Sequence, residues 1–248
     1  MNLTTIIIAK NEEKNIVDAI DSVDFSKKVI LVDNGSTDRT IEIAKRAGAQ
    51  VLSIKTDDFS KQREEGLIHV KTDWILYIDA DERITQELKK EIEDVLTDEN
   101  SMDAYKIVRR NYYYGKHEWL YREKLERLFK KESLKGWHGK IHESPVYTGE
   151  IGELKGFLDH YTHQDLTSML EKTINWSDTE AQIRFNANHP RMKWWRFPRV
   201  MIPTFFRYYI RQKGFRVGTV GLVESIFQTY SIFITYAKLW EMQEKKLR

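Results

Sequence analysis

A chain of 248 residues, 41% hydrophobic and 31% charged, has enough apolar content to bury one large core or a core with an appendage, which excludes a chiefly disordered protein. It has no cysteine, so disulfides, thiolate zinc sites and a cysteine nucleophile are excluded as well. The net charge of +2 hides an asymmetry: His189 to Arg216 carries eight Lys or Arg and no Asp or Glu, which leaves the rest of the chain at −6. The opening MNLTTIIIAKNEE has an apolar core too short for a secretory signal, so a cytoplasmic chain is expected.

Apolar runs and helical patterns alternate through the first hundred residues. Leu3 to Ala9 reads as a buried strand, Lys14 to Val23 as a helix, Lys28 to Val32 as a strand and Thr40 to Ala47 as a helix. Ala49 to Ile54, Lys61 to Val70 and Trp74 to Ile78 continue the series as strand, helix and strand. Thr85 is placed to cap a helix running to about Val95. Such alternation predicts an α/β fold, a mostly parallel sheet with helices on both faces. Past Ser101, Ala104 to Arg109, Arg127 to Lys130 and Ile141 to Tyr147 read as shorter strands of a mixed or antiparallel extension. Beyond residue 165 the pattern is helical: Leu166 to Arg184, Pro198 to Lys213 and Thr219 to Trp240. The expected division is a catalytic domain over 1–164, with a nucleotide-sugar half (1–100) and an acceptor half (101–164), and a helical appendage over 165–248.

Three strands end in polar clusters, AKNEE, DNGSTD and DADE, and in a sheet of this kind ligands bind beyond the carboxyl ends of the strands. In DNGSTD, Gly35 permits a tight turn, Ser36 or Thr37 can cap the next helix, and Asp33 is left at the strand end. That is equally a ligandless capped turn. No G-x-G-x-x-G or G-x-x-x-x-G-K-[ST] occurs, so a bound nucleotide has to be held by carboxylates and a metal rather than by a glycine loop. DADE supplies carboxylates of the kind Mg²⁺ or Mn²⁺ takes alongside substrate phosphates, although an acidic solvated turn has the same composition.

The four motifs AKNEE, DNGSTDRT, KQREEG and WILYIDADER, in this order over residues 1–100, resemble the family 2 glycosyltransferases with the GT-A fold. The second half is similar to a narrower branch, the glycosyltransferases of bacterial lipopolysaccharide core assembly, through RRNYYYG, RLFKK, KIHESP, LDHYTH and TYAKLWE. The resemblance implies that Asp33 recognises the nucleobase and that Glu12 lies beside it. It also implies that Arg63 helps hold the nucleotide, that Asp79 contacts ribose or metal and that Asp81 coordinates the metal on the diphosphate. Glu64 departs from the Asn that many members carry there. An inverting displacement also needs a base for the acceptor hydroxyl; the resemblance implies that the IHESP loop lies on the acceptor side of the cleft, which makes its carboxylate Glu143 the candidate, with His142 beside it as a metal ligand or orienting group. His138, His160 and His163 are weaker candidates, of which His160 is the best by resemblance. Tyr112, Tyr113, Tyr114, Trp119 and Tyr121 suit either sugar stacking or packing.

The function expected from these features is metal-dependent inverting transfer of a hexosyl or heptosyl unit. The donor is a nucleotide-sugar, UDP-sugar favoured, and the acceptor a lipopolysaccharide-core or other lipid-linked glycan. The basic aromatic stretch 189–216 reads as a peripheral contact with the inner face of the cell membrane. No uncharged apolar run is long enough to cross it, Ser225 to Ala237 being the best. Packing against the catalytic domain or a second copy explains the stretch too, whereas single-stranded nucleic acid is not the expected partner. Two alternatives stay open: a nucleotidyltransferase of similar sheet architecture, and a non-catalytic membrane or nucleic-acid binding module on a degenerate transferase fold.

Overall fold

A computed structural model describes residues 2–56, 58–140 and 143–246. The chain divides into two compact units, Met1–Arg110 with Arg122–His160, and Asn111–Tyr121 with Tyr161–Arg248.

The first unit begins with β1 (Leu3–Ala9), α1 (Ile16–Asp21), β2 (Lys28–Asp33), α2 (Thr40–Arg46), β3 (Gln50–Ser53), α3 (Phe59–Ile68) and β4 (Trp74–Asp79). There follow β5 (Glu82–Ile84), α4 (Gln86–Thr97), β6 (Ala104–Tyr113), β7 (His117–Lys130), β8 (Leu134–His138), β9 (Ser144–Tyr147) and β10 (Ile151–Thr162). Eight strands join in the order β3-β2-β1-β4-β7-β6-β10-β5, and β8 pairs with β9 separately. β1 is parallel to both β2 and β4 and is buried along its whole length, because LTTIIIA has an apolar or hydroxyl side chain for each of two covered faces. Alternate residues feed two cores. Ile7, Leu31, Leu76 and Ile78 pack with Ile16 and Leu88, while Ile6, Ile30, Val32, Ile75 and Tyr77 pack with Phe129 and Trp137. The second face is reached by α3 only because Gly66 has no side chain: a Cβ there would lie 2.7 Å from Ile6 Cγ2. Thr85 caps α4 as expected, its Oγ1 accepting from Leu88 N at 3.3 Å.

The region past residue 100 departs from the expectation of short strands. β6, β7 and β10 are 10, 14 and 12 residues long, and β5, β8 and β10 lie where no strand was expected. Arg109, Glu123 and Arg127 interrupt the apolar alternation of β6 and β7 with side chains that pair with one another or with Glu82, so periodicity under-reports those strands.

In the second unit the hairpin tip 111–121 groups with α5 (Leu166–Asn186), α6 (Arg196–Phe206), a π-helical turn (Arg207–Arg211), a 3₁₀ turn (Gly214–Val217) and α7 (Gly218–Lys245). α7 packs against both α5 and α6, and Ala181, Met192 and Leu239 form a small core. Trp119 is fully buried here and donates Nε1–H to Gln212 Oε1 at 3.0 Å; Tyr112 stacks on Tyr161 at 5.3 Å. Packing, the alternative use of Trp119, is therefore the observed one. By length and composition alone the stretch Gly214–Lys245 is long and apolar enough to cross a membrane, although its longest uncharged run is still Ser225 to Ala237. Its charge at Glu224 is buried and shared with His163 and Gln228, so it does not break the apolar run from outside.

Candidate active site

The chain runs from β1 outward to β2 on one side and returns to β4 on the other, which makes the carboxyl end of β1 a topological switch point. Register puts the motif residues there: Ala9 is opposite Asp33, and Ile8 is opposite Asp79. AKNEE and DNGSTD are tied to each other by side chains. Asn11, at φ 56°, accepts from Thr37 N at 2.8 Å while its own N–H donates to Ser36 Oγ at 2.8 Å. Glu12 N donates to Thr40 Oγ1, and the Glu12 carboxylate accepts from Asn15 Nδ2 at 2.7 Å. Asp33 is fully buried, and its Oδ2 accepts from the N–H groups of Gly35 and Ser36 at 3.0 and 3.1 Å. Its carboxylate thus fixes the turn, and in this arrangement it has no surface to offer a base.

The three carboxylates of DADE have different roles. Asp79 ends β4 with its side chain 31% exposed, whereas Glu82, the first residue of β5, is fully buried. Glu82 Oε2 accepts the Asp79 N–H at 2.8 Å, and Oε1 faces Arg109 Nη1 at 3.2 Å and Arg127 Nη2 at 3.3 Å. Only Ala80 and Asp81 separate β4 from β5, so the sheet curls to bring its last strand back to the cleft. β5 then pairs with β10, His160 opposite Glu82, and His160 Nε2 comes 3.3 Å from Asp81 Oδ2. Burial pushes the His160 imidazole down in pKa, but the Asp81 carboxylate more than offsets this and leaves it above its ordinary value.

Asp79 is held between two guanidinium groups, Arg63 Nη2 at 3.3 Å and Arg127 Nη2 at 2.9 Å. Burial would raise its pKa; Arg127, Arg63 and Arg109 outweigh that and hold the carboxyl well below the usual range, so it is ionised at neutral pH. Arg63 also clamps Glu143, with Nε at 2.8 Å and Nη2 at 2.6 Å, both on Oε1. The guanidinium of Arg63 lies over the rings of Trp137 and Tyr77, at 4.8 and 5.6 Å from their centroids, which fixes its plane. Glu64 turns away from this cluster and accepts from Trp137 N at 3.3 Å.

The structure therefore brings together Arg63, Asp79, Asp81 and Glu143, and adds His160, Glu82, Arg109 and Arg127, to which sequence reasoning assigned no firm part. Arg109 and Arg127 had a signal, since each begins one of the quoted motifs, but nothing local says that both reach Glu82. Glu12 and Asp33 belong to the neighbouring strand ends. His142 lies outside the described residues. Among the described residues no group of three or more His, Asp or Glu is gathered as a ready metal cage.

A family model described as glycosyl transferase family 2 matches residues 4–149. The chain belongs to this family. An uncharacterized glycosyltransferase of Rickettsia prowazekii (strain Madrid E) is 31% identical over 98% of this chain and 88% of the relative. The lipopolysaccharide core biosynthesis glycosyltransferase LpsC of Rhizobium meliloti (strain 1021) is 26% identical over 99% of this chain and 94% of its own length. Among solved structures, S. aureus TarS 1–349 in complex with UDP is similar in fold, with a TM-score of 0.52 at 17% identity, covering 99% of this chain and 92% of that one. The parallel sheet with helices on both faces is of the GT-A type, and the chain is a glycosyltransferase of the family 2 kind.

Proposed function

We propose that this glycosyltransferase transfers a hexosyl or heptosyl unit, with inversion, from a nucleotide-sugar to a lipopolysaccharide-core or other lipid-linked acceptor. The observation that carries the reading is the position of Asp79 and Asp81 at the switch point, Asp79 between Arg63 and Arg127 and Asp81 against His160. Four carboxylates (Asp79, Glu82, Glu123 and Glu143) pair with the guanidinium groups of Arg63, Arg109 and Arg127, and Asp81 adds a fifth beside His160, a concentration of carboxylate oxygens that a divalent cation would favour. The donor set fits Mg²⁺ or Mn²⁺ in the usual form of one or two carboxylates completed by substrate phosphates and water. Asp81 is the principal ligand in this proposal, with Asp79 and His160 flanking it. When bound, the ion supplies a positive charge against the leaving diphosphate.

The chain's own residues account for the rest. The base end of the donor lies along the turns shaped by Glu12 and Asp33, with Asp33 acting through the turn it holds. Arg63 keeps the nucleotide end and Glu143 in one frame. Glu143 accepts the proton of the acceptor hydroxyl through Oε2, since Arg63 engages Oε1; the hydroxyl oxygen bonds to the anomeric carbon as the bond to the diphosphate breaks. Similarity to LpsC supports the lipopolysaccharide assignment. In this reading the basic aromatic 189–216 stretch rests on the inner face of the membrane, and the enzyme can be a homo-oligomer; the run of eight cations with no acidic residue supports the membrane contact. UDP is favoured as donor nucleotide, and a protein of like fold was solved with UDP and with UDP-GlcNAc.

The test is a thermal-shift series with UDP, GDP, CMP and ADP, each with and without Mn²⁺. Stabilisation by one nucleotide that grows with the metal is expected, because a ligand of the folded state raises the melting temperature by mass action. No shift with any nucleotide in either condition would refute the donor assignment.

A further inference from the structure

The second unit carries an apolar surface that no described segment covers. Ile202, Phe206 and Ile210 recur every fourth residue along α6 and its π-helical continuation and are 56, 56 and 50% exposed. Leu222, Ile226 and Tyr230 repeat the spacing on α7, at 40, 54 and 42%. α6 and α7 pack side by side, and between them runs a groove of about 370 Å³ lined by Met201, Phe205 and Phe233 together with Ile202, Ile226 and Tyr230.

The charge around this groove is of one sign. Arg199, Arg207, Arg211, Lys213 and Arg216 are exposed, and the only acidic residue from His189 to Trp240 is Glu224, which is buried with its Oε2 3.0 Å from His163 Nδ1. A second copy of this chain would set cations against cations. An anionic bilayer offers both what the groove lacks and what its rim attracts: acyl chains and phosphates.

We propose that the α6–α7 face docks on an anionic bilayer, with an acyl chain of a bilayer lipid in the groove and the arginines on the headgroup phosphates. The proposal rests on the membrane placement in the preceding subsection and extends the contact from 189–216 into α7. Both helices lie in the interface rather than across it, because the other side of α7 is occupied: Glu224, Ser225, Thr235 and Leu239 are buried, and α5 packs against the helix. A crossing α7 would carry its packed partner α5, with Glu171, Lys172, Asp178, Glu180 and Arg184, into the hydrocarbon.

The absence of cysteine makes the experiment direct. Spin labels at Ile226→Cys, Phe206→Cys and, as a second site on α6, Ile202→Cys are the only thiol attachments in each protein. On vesicles containing phosphatidylglycerol, the labels should lose collisions with a water-soluble relaxant about tenfold and gain them with oxygen, whereas phosphatidylcholine vesicles should leave them unchanged. Ile226→Asp should weaken partitioning by about tenfold or more, the amount that withdrawing one inserted aliphatic side chain represents. Binding to anionic vesicles with all labels still in water would overturn the groove and leave the membrane placement standing. No binding to either vesicle would overturn both. Shielding without vesicles, with doubled mass in light scattering, would make the face a dimer contact and overturn the proposal. Labels at Leu222→Cys and Trp240→Cys should report similar depths; opposite depths through the bilayer midplane would replace the interfacial arrangement by a crossing one.

Discussion

Glu82→Gln separates two explanations of the DADE cluster, a charge frame that sets Asp79 in place and a set of interchangeable acidic ligands. Gln keeps the size, and its carbonyl oxygen can still accept the Asp79 N–H, but the charge facing Arg109 and Arg127 is lost. Removing one partner of a buried ion pair costs about 3–5 kcal/mol when the other is stranded. Here neither arginine is stranded, because Arg109 keeps Glu123 at 2.6 Å and Arg127 keeps Asp79 at 2.9 Å. The cost therefore falls to that of lost charge-assisted hydrogen bonds in a buried site, about 2–3 kcal/mol. At roughly 2–4 °C per kcal/mol for a chain of this size, the melting temperature should drop by about 4–12 °C. Arg127, drawn further onto Asp79, should also weaken metal-dependent nucleotide stabilisation. The assay is thermal unfolding with and without UDP and Mn²⁺, against Glu42→Gln on exposed α2 as a control. A drop below about 2 °C with unchanged nucleotide response would refute the frame.

Glu143→Gln should reduce turnover by about a hundredfold or more with donor KM nearly unchanged, as expected for a general base; retained turnover would remove the residue from that role. Chelator should abolish transfer and added Mn²⁺ or Mg²⁺ restore it, so full activity in chelator would refute the metal assignment. In chelator-treated protein the raised His160 pKa means that the Asp81–His160 contact contributes its full stability below the ordinary histidine value of about 6.5 and loses it as the pH rises through the raised folded value. His160→Asn should remove that part of the pH dependence of the melting temperature, and an unchanged profile would count against the pairing. Replacing Arg191, Lys193, Arg196 and Arg199 by Gln should weaken binding to anionic vesicles and reduce its sensitivity to salt; equal binding would assign these side chains to packing.

The parallel half of the fold was legible in the sequence. β1, β2 and β4 are buried on both faces, so continuous apolar runs mark them; Thr85 has the side chain a helix start needs, and the polar clusters fall where a parallel sheet places its ligand edge. The same local logic marked the DADE carboxylates as a cluster in need of a cation, while the resemblance to family 2 glycosyltransferases singled out Asp79, Asp81, Arg63 and Glu143. Which partner each meets is decided by contacts between distant segments. Glu82 looks like Asp79 and Asp81 in sequence, yet β5 pairing with β10 buries it between Arg109 and Arg127 while Asp81 meets His160. Asp33 reads as a strand-end ligand, but closure of the Gly35 turn directs its oxygens inward. The long strands β6, β7 and β10 were obscured because charged side chains paired across strands break the alternation that marks a strand. Residue type and spacing determined which side chains stand at the ends of the strands; only the tertiary structure decided which of them are neutralised by a buried partner, because that depends on pairings across 14 to 80 residues of chain.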